Sequence, residues 1–69
     1  MSDAVSSPGQ SIYDILIEDA DGRKLLLERS YDLGYAKRRL QALSAEHAGI
    51  RLILWNQQAR TVVAETDGY

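Results

Sequence analysis

The stretch IYDILIEDADGRKLLLER, residues 12–29, places two apolar runs on either side of a short acidic turn. The first run, 12–18, is rich in β-branched and aromatic residues, and the second, 23–29, is rich in leucine, so both predict strands. Between them, Gly22 readily adopts the positive φ that a tight hairpin loop requires. The stretch therefore predicts a β-hairpin.

The length of the loop decides which side chains of this hairpin share a face. A two-residue loop pairs the carboxylate of Glu18 with Leu25 and mixes charge with core. A three-residue loop instead pairs Ile17 with Leu25, and farther from the turn it pairs Ile15 with Leu27. Because a one-residue slip moves the whole apolar set to the wrong face, we favour the three-residue loop.

A helix is predicted after the hairpin. Asp32 is a favourable N-cap, and Gly49 is a favourable residue directly after the last turn. At 100° per residue, one set of side chains falls within an arc of about 80° and should cover the sheet. This stripe consists of Leu33, Ala36, Leu40, Leu43 and His47.

Two further apolar runs, IRLILWN (50–56) and RTVVAE (60–65), predict a second hairpin. A three-residue loop pairs Leu54 with Val62, a two- or four-residue loop pairs Ile53 with Val62, and both remain open. The resulting order is ββαββ. We therefore predict an α+β fold, a four-stranded and mainly antiparallel sheet with one helix packed on one face.

The chain of 69 residues is predicted to hold a single domain, residues 12–65, between an N-terminal tail (1–11) and a frayed C-terminal tail (66–69). With no cysteine and one histidine, disulfides are excluded and no cofactor is predicted. No apolar stretch approaches the roughly 20 residues that span a bilayer, so we expect a cytoplasmic protein without a membrane partner. Oligomerisation remains as a source of stability for so small a core.

The predicted registers leave apolar side chains on the sheet face opposite the helix, which one helix cannot cover. The residues assigned to a protein interface on that face are Leu16, Leu26, Arg51, Ile53, Trp55 and Val63. Exposed contiguous apolar surface commonly marks an interaction site, whereas charges such as Asp14 and Glu28, which face each other in this register, would break it up. We predict a non-enzymatic protein-interaction module that binds a second copy of itself, or another protein, through this face.

The alternative is a nucleic-acid-binding accessory protein. The densest run of positive charge comprises Lys37, Arg38 and Arg39. On a helix these residues fan out over about 200° and do not form a single reading face. A second mode would stack bases on Trp55, with Arg51 and Arg60 on phosphates. The formal net charge of −2 argues against either mode.

No catalytic or metal-ligating residue is predicted. Asp19, Asp21, Gly22 and Glu28 match part of an EF-hand calcium loop, but Ile17 occupies the position of the first ligand. Asp-Gly is also a common hairpin turn. A nucleophile needs a neighbouring base, and the chain offers no cysteine and a single histidine, His47, on the apolar stripe.

Overall fold

The computed structural model describes residues 11–66, which form four strands and one helix in the predicted order ββαββ. The elements are β1 (Tyr13–Glu18), β2 (Lys24–Ser30), α1 (Leu33–Glu46), β3 (Arg51–Asn56) and β4 (Thr61–Glu65). The predicted α+β fold is confirmed, and each strand begins one residue later than its apolar run. Apart from Ser11 and Thr66, the predicted tails lie outside the described residues.

The sheet has the strand order β2-β1-β3-β4, and every neighbouring pair is antiparallel. Because β2 and β3 both run antiparallel to β1, they run parallel to each other on either side of it. The helix α1 connects these two strands and contacts β1, β2 and β3. No helix within residues 11–66 combines the length and the apolar character needed to cross a bilayer.

The first hairpin closes with the predicted three-residue loop. The Asp19 N–H donates a hydrogen bond to the carbonyl oxygen of Arg23 at 3.0 Å. Gly22 has a φ of +82°, a conformation that L side chains rarely adopt. Next to the loop, Ile17 lies opposite Leu25, as predicted. Local turn chemistry therefore sets the register of this half of the hairpin.

A β-bulge in β2 changes the register of the other half. Beyond it, Ile15 lies opposite Glu28 instead of the predicted Leu27. The predicted pairing of Asp14 with Glu28 is also wrong, because Asp14 lies opposite Arg29. The extra residue turns both Leu27 and Glu28 toward the helix, whereas strict alternation would send Glu28 to the opposite face.

The second hairpin has a four-residue loop formed by residues 57–60. In this register Val62 pairs with neither Leu54 nor Ile53, so neither of the predicted pairings occurs. Trp55 lies opposite Val62 next to the loop, and after a second bulge Leu54 lies opposite Ala64. Val63 follows Val62 on the other side of β4 and faces the core cluster under the helix, and the extra residue turns Ala64 to the same side. The predicted place of Val63 on the face opposite the helix is therefore wrong.

The core lies between α1 and one face of the sheet. Ile15, Leu52 and Leu54, all on the two central strands, are fully buried. Ala36 is also fully buried, and its small side chain allows the helix to approach the sheet closely. The predicted helix stripe is confirmed, with Ala36, Leu40 and Leu43 buried and Leu33 and His47 half-buried.

The helix begins where the sequence predicts and ends slightly earlier. The Asp32 carboxylate accepts a hydrogen bond from the Tyr35 N–H at 2.8 Å, which is the interaction of an N-cap. His47 is the C-cap, and its N–H donates to the carbonyl oxygen of Leu43 at 2.9 Å. Gly49, predicted directly after the helix, lies farther along the turn, with a φ of +87°.

The variant Asp32→Ala should lower the free energy of unfolding by about 1 kcal/mol, because the Tyr35 N–H loses its partner. Urea denaturation followed by circular dichroism measures the change. Asp21→Ala, which removes the same charge from an exposed turn position, is the matched control. An equal loss of stability in both variants would contradict the capping role.

Candidate protein interface

The sheet face that α1 leaves uncovered, here named the helix-free face, is ordered in three rows that cross the strands in the order β2-β1-β3-β4. The first row is Lys24, Glu18 and Arg51, the central row is Leu26, Leu16, Ile53 and Glu65, and the third row is Arg29, Asp14, Trp55 and Val62. The central row is apolar over three adjacent strands. Charged side chains concentrate in the rows on either side of it.

The structure brings most of the predicted interface residues together on this face. The members placed there are Leu16, Leu26, Arg51, Ile53 and Trp55. Val62, opposite Trp55, lies on this face in place of the predicted Val63. The exchange follows from the loop, which pairs Asn56 with Thr61 and so places Val62 on the face of Trp55 and Val63 on the opposite face.

The exposed apolar surface of the helix-free face lies mainly on its edge strands. Ile53, on a central strand, is only 6% exposed. Leu26 and Val62, on the two edge strands, are 46% and 48% exposed, while Leu16 and Trp55 are half-buried. A partner that covers this face must therefore extend across all four strands.

A buried carboxylate anchors the third row. Asp14 is only 7% exposed and accepts hydrogen bonds of 2.7 Å from both Arg29 Nε and Gln57 Nε2. Burial acts to raise the pKa of Asp14, but the two hydrogen bonds and the positive charge of Arg29 together hold that pKa below its ordinary value of 3.8. Asp14 is therefore a paired anion at neutral pH.

The first row is a chain of ion pairs. The Glu18 carboxylate lies 3.7 Å from Lys24 Nζ and 3.8 Å from Arg51 Nε, and Arg51 also pairs with Glu65. The side chains of Lys24 and Arg51 are about half exposed. Solvent screening leaves such pairs little effect on stability, so their main consequence is the pattern of charge on the face.

The positive run of α1 does not form one basic surface. Arg39 reaches β2, where its Nε donates to a Glu28 carboxylate oxygen at 2.8 Å and a second guanidinium nitrogen donates at 2.9 Å. These hydrogen bonds lower the pKa of Glu28 and raise that of Arg39. Lys37 and Arg38 are exposed, and Arg60 lies in the distant β3–β4 loop with a φ of +55°.

A groove of about 640 Å³ lies at the tip of the first hairpin. Its apolar lining is Ile17, Leu25 and Ile50, and its charged rim is Glu18, Asp19, Arg23 and Lys24. Leu25, predicted to lie under the helix, is instead 67% exposed here, because Gly49 and Ile50 border the groove in place of the helix. The sequence does not predict this groove, because its existence depends on where α1 ends above the sheet.

The acidic turn of the first hairpin is organised by its own backbone. The Asp19 carboxylate accepts hydrogen bonds of 2.9 Å from the N–H groups of Asp21 and Arg23. Across residues 11–66, no group of three or more His, Cys, Asp or Glu side chains is placed to hold a metal ion. Of the residues that match part of a calcium loop, Asp19 and Gly22 shape the turn, whereas Glu28 lies on β2 and binds Arg39.

Comparison with known proteins reveals no relative. No model of a protein family, no curated protein and no solved structure matches this chain. The ββαββ arrangement alone does not identify a function, because one fold supports many. The function must therefore be argued from the surface of the molecule.

The stability cost of Asp14→Asn should shrink as the pH falls below the ordinary range of aspartate. Because the folded-state pKa of Asp14 is lowered, its stabilising effect is fully present above the unfolded-state pKa and is lost as the pH falls through the folded-state value. Urea unfolding at about pH 6 and about pH 2.5 measures the difference. Asp21→Asn is the control, and a cost of Asp14→Asn that does not change with pH would contradict the pairing.

The contact between Arg39 and Glu28 should stabilise the packing of α1 on β2. A double-mutant cycle of Arg39→Ala and Glu28→Ala should give a favourable coupling energy, because the contact is bidentate. The control cycle replaces Arg39→Ala with Lys37→Ala and should give a coupling near zero. Equal coupling in the two cycles would refute the assignment.

Proposed function

We propose that this chain is a small non-enzymatic protein-interaction module that forms a homodimer through the helix-free face. The observation that supports the proposal is the central row, where Leu26, Leu16 and Ile53 lie on three adjacent strands on the side away from α1, and where Leu26 is 46% exposed. An apolar centre with a charged rim is typical of protein interfaces. Two copies of one self-complementary face cover both central rows at once, in the commonest oligomeric symmetry.

The balance of charge on the helix-free face favours a copy of itself over a polyanion. Its three cations are Lys24, Arg29 and Arg51, and its three anions are Asp14, Glu18 and Glu65. Each of these groups belongs to an ion pair within the chain. A formally neutral face meets its own copy without net repulsion, whereas phosphate backbones attract an excess of positive charge.

The size of the face sets the strength of the dimer. Three rows about 7 Å apart on four strands about 4.8 Å apart give a footprint of roughly 400 Å² per copy. Stable complexes bury about 800 Å² per partner, so this dimer should be weak and depend on concentration in the micromolar to millimolar range. Even a weak dimer adds apolar burial to a chain with a small core.

The alternative, a nucleic-acid-binding accessory protein, has weaker support. Two of the arginines it requires are held by carboxylates, Arg39 by Glu28 and Arg51 by Glu65. Salt separates the two functions, because release of counterions makes nucleic-acid binding fall steeply with salt, whereas an apolar dimer persists. Nucleic acid that co-purifies and is removed by salt would favour the alternative.

The single tryptophan reports directly on the proposed dimer. Trp55 is half-buried in the monomer, so coverage by a second copy should shift its emission to shorter wavelength as protein concentration rises. Over the same range, sedimentation equilibrium should show the average mass rising from 7.7 kDa toward twice that value. A constant monomer mass with unchanged emission up to millimolar concentration would overturn the proposal.

Trp55→Glu should abolish self-association, because it removes the apolar contact of the indole and places a carboxylate inside the interface. Tyr35→Glu, which replaces an exposed aromatic on α1, is the matched control and should dimerise like the wild type. Circular dichroism tests the folding of both variants. If Trp55→Glu fails to fold, Leu26→Glu at the sheet edge replaces it, and undiminished association of that folded variant would count against the proposal.

A further inference from the structure

We infer that the two copies are related by a two-fold axis parallel to the strands, so that Glu18 of each copy lies opposite Arg51 of the other. This inference rests on the proposed homodimer and specifies how the second copy is placed. Sheets that pack face to face keep their strands nearly aligned. A two-fold axis in the plane of the interface therefore has two simple directions, along the strands or across them.

An axis along the strands keeps each row opposite the same row of the second copy and reverses the order of the strands. The strand β1 then lies over β3 of the partner subunit, and β2 over its β4. In the first row, Glu18 meets Arg51 of the partner subunit, and in the central row Leu16 meets Ile53 of the partner subunit. No two like charges of the three rows are opposed in this arrangement.

An axis across the strands places each strand over the same strand of the second copy and reverses the order of the rows. The first row then lies over the third, which opposes Glu18 to the partner's Asp14 and Lys24 to the partner's Arg29. In the central row, Glu65 of one copy lies over the same residue of the other. Like charges opposed in an interface are strongly unfavourable, so the charge pattern selects the axis along the strands.

The Glu18 carboxylate is suited to a contact between copies. Its neighbours Lys24 and Arg51 stand 3.7 Å and 3.8 Å away, beyond the length of a normal hydrogen bond. The carboxylate is thus held in position on the face and retains lone pairs for a closer donor. The Arg51 guanidinium, about half exposed on the neighbouring strand, pairs with Glu65 through one nitrogen and has further N–H groups to donate when a second copy presents it.

Charge reversal at Glu18 distinguishes the two axes by the sign of its effect. With the axis along the strands, Glu18→Arg places an arginine opposite the partner's Arg51 at two symmetric positions. It should therefore weaken self-association by at least about tenfold. With the axis across the strands, the same variant faces the partner's Asp14 and should tighten the dimer. Arg51→Glu should also weaken self-association, because it opposes the partner's Glu18.

Mixing the two reversed chains provides the complementary measurement. An equimolar mixture of Glu18→Arg and Arg51→Glu should form heterodimers with at least about tenfold lower dissociation constant than either variant alone, because every opposed pair is then attractive. Native mass spectrometry resolves the heterodimer from the homodimers. Lys37→Glu, on the exposed surface of α1, is the control and should leave the dissociation constant unchanged.

The outcomes separate this inference from the proposed function. A wild-type chain that stays monomeric overturns the dimer itself, and with it the arrangement. A wild-type dimer that is tightened by Glu18→Arg, or that gives no heterodimer in the mixture, overturns only the arrangement. If a reversed chain fails to fold by circular dichroism, Glu18→Gln replaces it. That variant should weaken the dimer a few-fold with the axis along the strands and tighten it with the axis across them.

Discussion

One helix packs against a sheet whose two central strands carry apolar residues on both faces, and the rest of the structure depends on this imbalance. Ile15, Leu52 and Leu54 are fully buried under α1. Leu16 and Ile53 occupy the other face of the same strands. A helix of 14 residues is about 21 Å long, enough to cover one face only. The second face is shielded only in part, by neighbouring strands and by the side chains of its ion pairs.

The bulges in the two edge strands sort side chains between these faces. In β2, the bulge sends Glu28 toward α1, where Arg39 binds it, and sends Arg29 to the helix-free face, where it binds Asp14. In β4, the bulge turns Ala64 into the core and leaves Glu65 on the helix-free face. Bulged edges also disrupt pairing with a further strand. Association through the face of the sheet therefore fits this chain better than extension of the sheet at its edges.

The helix-free face carries equal numbers of positive and negative charges, but these charges are distributed unevenly over its rows. Their positions favour some orientations of a partner over others. Glu18 and Arg51 lie on β1 and β3, the two strands at the centre of the sheet. In the proposed dimer, a two-fold rotation places β1 of one copy over β3 of the other. Glu18 and Arg51, which pair within one chain, then also pair between the two chains at two symmetric positions. The same two side chains therefore contribute to the monomer and specify the orientation of the second copy.

The sequence by itself determined the order of the elements, the three-residue loop at Gly22, the N-cap at Asp32 and the apolar stripe of α1, because each depends on local conformational preference or on periodicity. The residues of the helix-free face were predictable on β1 and β3, where side chains alternate regularly between the two faces. The tertiary structure alone decided the two bulges, and with them the faces of Glu28 and Ala64. A bulge has no strong local signature, and here it is favourable because Arg39 and the core lie on the side to which it turns these residues.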